Sequence, residues 1–264
     1  MKNKLLTFLI DKIVLRPSMH PIHAAGKRHV LSYGKGQLEV WTHSRGALDG
    51  AAPSLFVLEF PGTASRAEEP SDFLDGCWSD TNIEIWSVNP PGYGGSSGRA
   101  SLEDFPSMAD HAFDELRSAA NGSPIVVAGS SLGTVSALYL ASRREVNGVL
   151  LQNPPDLREV ILTRGDIWPI RWAARALSSH LCEDLDSILN ASRATAPAVF
   201  VIALQDRIVP TKIQQRVLEA YAGPKRVIEL PDADHDTQLS EEDMHQIQES
   251  KAWLHDVVLK GQVC

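Results

Sequence analysis

Short apolar runs, each closed by Gly, Pro, Asn or Asp, alternate along the chain with longer stretches of helical periodicity. Gln37–Thr42, Ser54–Phe60, Asn82–Val88, Pro124–Ala128, Val146–Leu151, Ala198–Leu204 and Arg226–Leu230 read as strands, with Gly46–Pro53 as the turn between the first two. Leu102–Ala119, Leu132–Arg144, Thr211–Tyr221 and Ser240–Val258 read as helices, and the acidic stretch Ala67–Trp78 is helix-compatible despite Pro70. Ser240 followed three residues on by Asp243 is an acidic variant of the capping box. Strands alternating with helices, several of them apolar throughout, predict an α/β fold: a mostly parallel sheet covered by helices on both faces.

Two segments stand outside this alternation. Near the N-terminus, Leu5, Leu9 and Ile13 with Leu6, Ile10 and Val14 make a helical stripe, while Asp11 and Lys12 cut the apolar run short. Residues 1–36 are therefore read as a helix and lead-in, the helix packing on the domain or on a partner. A surface membrane contact and a cleaved signal are its alternatives. Residues 37–264 form the main domain. Within it, Asp156–Pro197 is far longer than a crossover helix requires and carries Trp168 and Trp172 among basic residues. Placed beside the C-terminal strand ends, residues 156–197 would sit over a site there, as a small helical cap whose two tryptophans shape a substrate pocket or pack its core.

Composition narrows the function classes. The 264 residues are 43% hydrophobic and 22% charged, with a formal net charge of -8. That balance suits an ordinary folded domain and argues against a nucleic-acid surface, which needs clustered Lys and Arg. Three scattered cysteines, Cys77, Cys182 and Cys264, fit reduced thiols in a cytoplasmic protein better than a disulfide framework or a zinc site. No apolar stretch of about twenty residues is present to span a bilayer.

Gly129-Ser130-Ser131-Leu132-Gly133 lies where a β-branched run passes into a helix. This is the form of a nucleophile elbow, a strained turn that lifts the hydroxyl of Ser131 clear of a sheet. Two glycines and a serine at this spacing arise by chance in roughly one chain in ten of this length, so the partners decide the matter. A serine nucleophile needs a base, a group that orients the base, and donors for the oxyanion. Of nine histidines, His235 follows the last strand, in Leu230-Pro231-Asp232-Ala233-Asp234-His235. Asp206 follows the preceding apolar run directly and is the orienting acid, with Asp156 as fallback. Leu132, opening the elbow helix, supplies one oxyanion N–H, and Pro61-Gly62-Thr63-Ala64 supplies the other, from Thr63 or, second, Ala64. The glycine-rich Gly92–Gly98 lacks the Lys-Ser/Thr of a phosphate loop, and no metal or cofactor motif appears.

With these residues in order, the chain from about Gln37 onward resembles the α/β-hydrolase superfamily. Asn89-Pro90-Pro91-Gly92-Tyr93-Gly94-Gly95-Ser96 is similar to the Asn-x-x-Gly-Tyr-Gly-x-Ser loop of compact, short-capped members, among them serine esterases and depalmitoylating thioesterases. Asp206 through Pro210 resembles the Asp-x-x-Val-Pro that holds the family's acid. The resemblance implies an eight-stranded sheet whose first strands are antiparallel. Two positions depart from the pattern: Pro61 replaces the usual His of the oxyanion loop, and Asp234 replaces the Gly before the histidine. Ser131, rather than Asp, separates the chain from the dehalogenase and epoxide hydrolase branches. The reading is a serine hydrolase cleaving a small-molecule carboxylic ester or thioester through an acyl-enzyme, without a cofactor. A peptidase or amidase on the same residues, and a non-catalytic binding member of the fold, are its rivals.

Overall fold

The computed structural model describes residues 4–20, 22–24, 26–46, 52–74, 78, 81–164, 175, 178 and 181–260. Among them, β1 (Lys27–Tyr33), β2 (Gly36–Arg45), β3 (Leu55–Phe60), β4 (Ile83–Asn89), β5 (Ile125–Ser130), β6 (Gly148–Gln152), β7 (Ala198–Ala203) and β8 (Lys225–Leu230) form one sheet. Its order is β1-β2-β4-β3-β5-β6-β7-β8. β2 runs antiparallel to both β1 and β4, and the pairings from β4 through β8 are parallel. Seven strands are legible in the pattern; the eighth is β1, whose residues are at most half-buried. The sheet therefore begins at Lys27, ahead of the boundary expected at Gln37, because β1 gains its place from pairing with β2 rather than from an apolar signal.

The helices are α1 (Lys4–Val14), α2 (Phe105–Ala120), α3 (Gly133–Ala141), α4 (Leu157–Arg164), α5 (Ser187–Arg193), α6 (Thr211–Ala220) and α7 (Glu241–Lys260). Strand alternation divides the core between the two faces. On β7, Ala198, Phe200 and Ile202 join the cluster formed with α1, α2, α3 and α6. Val199, Val201 and Ala203 point to the opposite cluster, closed by Phe73, Trp78 and the α7 residues Ile247 and Leu254. β5 splits likewise, Ile125 and Val127 against Val126 and Ala128. Each buried Val, Ile, Leu or Phe among them contributes about 1.5–3 kcal/mol, and both faces are thereby committed.

The helix ends follow local chemistry. α2 stops at Asn121, which adopts φ +47, followed by Gly122 at φ +92. At α7 the Ser240 N–H donates to Asp243 Oδ2 (3.0 Å) and the Asp243 N–H to Ser240 Oγ (3.1 Å), so the expected capping box is formed reciprocally. In α1, Ile10 and Val14 enter the core while Phe8 and Leu9 remain partly exposed, and Asp11 accepts the Leu102 N–H at 2.9 Å. Among the described residues, no helix is long and apolar enough to cross a membrane.

The helix expected over Ala67–Trp78 is not formed across its described part, which holds one 3-10 turn, Asp72–Leu74. Side chains take the backbone donors that a helix would use: the Ala67 N–H goes to Asn89 Oδ1 (3.0 Å) and the Ser71 N–H to Glu59 Oε1 (2.8 Å). Pro70, between them, has no N–H to give.

Those bonds belong to a buried polar cluster under the strand ends. The Asn89 amide donates to Glu39 Oε2 (2.7 Å) and Glu68 Oε2 (2.8 Å), bridging two buried carboxylates. Arg28 pairs with Glu39 and Arg66 with Glu68, and Arg66 also holds the Ser18 and His20 carbonyls. Burial works to raise the Glu39 carboxyl, but hydrogen bonds from Arg28, the Gly95 N–H and Asn89 outweigh it and hold the group below its ordinary value of 4.5. Glu39 therefore contributes stability that is present above that value and lost as the pH falls through the lowered one. Urea midpoints measured from pH 6 to pH 3 are expected to drop below pH 4.5. Asn89→Leu, which strips donors from both carboxylates, is expected to lower stability by about 2–4 kcal/mol and to flatten that drop.

Candidate active site

β5 ends in the middle of the sheet, and the chain turns there into α3 with Ser131 at φ +49. A non-glycine residue in this region costs about 1–2 kcal/mol, and the surroundings hold it. The Ser131 N–H donates to the Gln152 carbonyl at the end of β6 (2.8 Å). Its own carbonyl accepts the Thr134 N–H (3.0 Å) and hydroxyl (2.7 Å). The flanking glycines are steric requirements. A Cβ on Gly133 would lie 1.8 Å from the Phe60 carbonyl oxygen, and one on Gly129 would lie 2.6 Å from Gly133 C and Thr134 N. The strand-to-helix turn thus packs backbone on backbone against the end of β3.

That contact puts the loop after β3 over the serine. A Cβ on Gly62 would meet Ser131 Cβ at an ordinary 3.5 Å. Thr63 turns its side chain away: Oγ1 donates to the Val14 carbonyl (3.0 Å), accepts the Arg16 N–H (2.9 Å) and lies 3.3 Å from the Tyr93 hydroxyl. What Thr63 can offer the cavity is therefore its main chain. Leu132 is the Ncap residue of α3, where first-turn N–H groups have no intrahelical acceptor.

The acid and the histidine arrive on the two strands beyond. Asp206 follows β7 with its side chain fully buried, and His235 follows β8 with 12% of its side chain exposed. His235 Nδ1 lies 2.7 Å from Asp206 Oδ2. Oδ1 of the same carboxylate accepts the Ile208 and Val209 N–H groups at 2.8 and 2.7 Å, a turn closed on the aspartate itself. With Nδ1 engaged by a carboxylate, the neutral ring carries its proton there and presents the lone pair of Nε2. Ser131 and His235 line one cavity of about 840 Å³, together with Gly62, Thr63, Ala64 and Ile208 and the charged residues Arg16, Glu69, Asp72 and Asp236.

The fallback acid is employed elsewhere. Asp156 Oδ1 caps α4 through the Arg158 and Glu159 N–H groups, and Oδ2 pairs with Arg216 at 3.0 Å. Burial raises its carboxyl, with the Glu159 N–H and Arg216 opposing. Asp234 is also occupied, accepting from the Thr237 hydroxyl (2.7 Å) and the Asp236 N–H (3.1 Å), which lower its carboxyl. Trp168 and Trp172 lie outside the described residues. Of the cap range 156–197, the described parts include α4, a 3-10 turn at Glu183–Leu185 and α5. No group of three or more metal-ligating side chains converges among the described residues.

Two contributors have roles that the sequence did not assign. Tyr93, in the glycine-rich loop, accepts the Arg16 N–H (3.1 Å) and braces Thr63, while Gly94 and Gly95 pack against Asn89 and Glu39. Gln214 on α6 is completely buried, and Nε2 donates to Asp206 Oδ2 at 3.1 Å. The available signal was a glutamine on the same helix face as Ile213 and Val217.

No protein-family model matches the chain. An uncharacterized protein of Mycobacterium tuberculosis is 28% identical over 226 residues, covering 83% of this chain and 75% of that one. Alpha/beta hydrolase domain-containing protein 17C of Mus musculus is 31% identical over 163 residues, 60% of this chain and 48% of that one. Among solved structures, an esterase of Pyrococcus furiosus superposes with a TM-score of 0.66 at 15% identity, over 92% of this chain and 98% of its own. An acylaminoacyl peptidase superposes with a TM-score of 0.64 at 16% identity, over 88% of this chain and 41% of its own. The chain thus spans about half the mouse relative and less than half the peptidase. At such identities the structural likeness speaks for the fold.

The glycine at position 133 is open to test. Gly133→Ala is expected to cost at least about 3 kcal/mol or prevent folding, whereas Gly62→Ala is expected to melt within about 2 °C of the parent. Thermal unfolding followed by circular dichroism separates the two.

Proposed function

We propose that the chain is a member of the α/β-hydrolase superfamily and a serine hydrolase that cleaves a small-molecule carboxylic ester or thioester through an acyl-enzyme. One observation carries the reading. Ser131, held at positive φ on the elbow, shares a cavity with His235, whose far nitrogen is 2.7 Å from the buried carboxylate of Asp206.

In this mechanism His235 Nε2 takes the Ser131 proton as Oγ attacks the acyl carbon. Positioned base catalysis of this kind is worth about 10²–10⁴ in rate. Negative charge moves to the former carbonyl oxygen, where the Leu132 and Thr63 N–H groups receive it. Asp206 keeps the Nδ1 proton in place and stabilises the imidazolium without taking the proton. The imidazolium then protonates the departing alkoxide or thiolate, leaving Ser131 acylated. A water deprotonated by His235 reverses the sequence and frees the acid. Replacement of the usual oxyanion-loop His by Pro61 leaves stabilisation of that charge to backbone donors, which point without reorganising.

Labelling with a fluorophosphonate probe, followed by turnover of p-nitrophenyl esters of graded chain length, tests the assignment. Ser131→Ala is expected to abolish labelling, and Asp206→Ala to leave about 10⁻³–10⁻⁴ of parental turnover. Equal labelling of the parent and Ser131→Ala would remove Ser131 from the chemistry. Hydrolysis of acyl amides with no ester turnover would replace the esterase reading by an amidase one.

A further inference from the structure

We infer that Gln214 is a positioning residue for the Asp206–His235 pair, an inference that rests on the reading of those two residues as the acid and base of a hydrolase. The Asp206 carboxylate receives four donors. Two main-chain N–H groups, from Ile208 and Val209, hold Oδ1. The other oxygen, Oδ2, faces His235 Nδ1 at 2.7 Å and Gln214 Nε2 at 3.1 Å. The glutamine therefore acts on the oxygen that would orient the histidine.

The orientation of the amide is determined by its surroundings. Nε2 meets Asp206 Oδ2, the Val209 carbonyl (2.7 Å) and the Ala203 carbonyl (3.5 Å), all of them acceptors. A flipped amide would set its oxygen against a carboxylate and a carbonyl. The cost of the observed orientation falls on the other end: Gln214 is completely buried, and its Oε1 meets no hydrogen-bond partner among the described residues. An orphaned buried acceptor costs about 1–3 kcal/mol. A Leu or Met would fill this position on α6, beside Ile213 and Val209, without that cost. The donated bonds are what a glutamine adds there.

Two N–H groups of one amide link the Asp206 side chain to the Val209 carbonyl, tying the carboxylate plane to the turn that follows it. With Oδ1 held by main chain and Oδ2 by Gln214, the carboxylate cannot rotate away when the imidazole gains its proton. Gln214 touches neither the substrate cavity nor Ser131 in its hydrogen bonds, and its influence runs through Asp206.

Gln214→Met, similar in length and lacking the donor, is the direct test. It is expected to fold, to lower kcat on a p-nitrophenyl ester about tenfold with KM within about twofold, and to shift the His235 Nδ1 proton resonance in NMR. Gln214→Glu keeps the shape and, while protonated, the donor; Asp206 is the titratable group it meets there, with His235 beyond. Its deficit relative to the parent is expected to widen from pH 6 to pH 9 as the new carboxyl ionises against Asp206. Parental kcat and an unmoved Nδ1 resonance in Gln214→Met would overturn the inference. If Gln214→Met does not fold, a Gln214→Glu profile parallel to the parent's overturns it instead. The NMR readout needs no turnover, so it separates this inference from the hydrolase reading, whose own failure is parental labelling of Ser131→Ala.

Discussion

The site depends on one backbone approach: α3 starts so close to the end of β3 that position 133 has no room for a Cβ. The parallel pairing of Phe60 with Gly129 brings the two strand ends level, and Gly133 then lies on the Phe60 carbonyl. This proximity sets Gly62 against Ser131, so the candidate nucleophile and the loop after β3 are positioned by the same contact. The strain of a serine at positive φ is confined to the point where two strands, a helix and a buried carbonyl over-determine it.

A second layer of the structure supports the loops rather than the chemistry. Asn89 joins two buried carboxylates, each with its own arginine, and the glycines after it allow the loop to close on Glu39. Tyr93 leaves that loop to reach Thr63 and the segment just after α1. The N-terminal segment and the loop after β3 are thus held through one tyrosine and one threonine. The glycine-rich run after β4 has this bracing role through Tyr93, Gly94 and Gly95.

Much of this was legible in the residues because it is local. A β-branched run entering Gly-x-Ser-x-Gly, Asp206 ahead of Val209-Pro210, and His235 after the last strand each mark the end of a parallel strand, and parallel strands bring their ends to one edge. Ser240 and Asp243 similarly announced their capping box. Local signals decided the order of elements, the helices over both faces and the candidate Ser, Asp and His.

What depended on partners distant in sequence was decided by tertiary structure. β1 is a strand because β2 offers it hydrogen bonds, and the stretch from Ala67 leaves the helix because Asn89 and Glu59 take its N–H groups. Of the two candidate acids, Asp156 is engaged by Arg216 and the first turn of α4 while Asp206 meets His235, a difference of partners that the residues alone do not reveal. Gln214 reads as a helix-face residue until the packing of α6 sets its amide on a carboxylate. Sequence determines such features only through a side chain's freedom to choose among partners, and the fold supplies the partner.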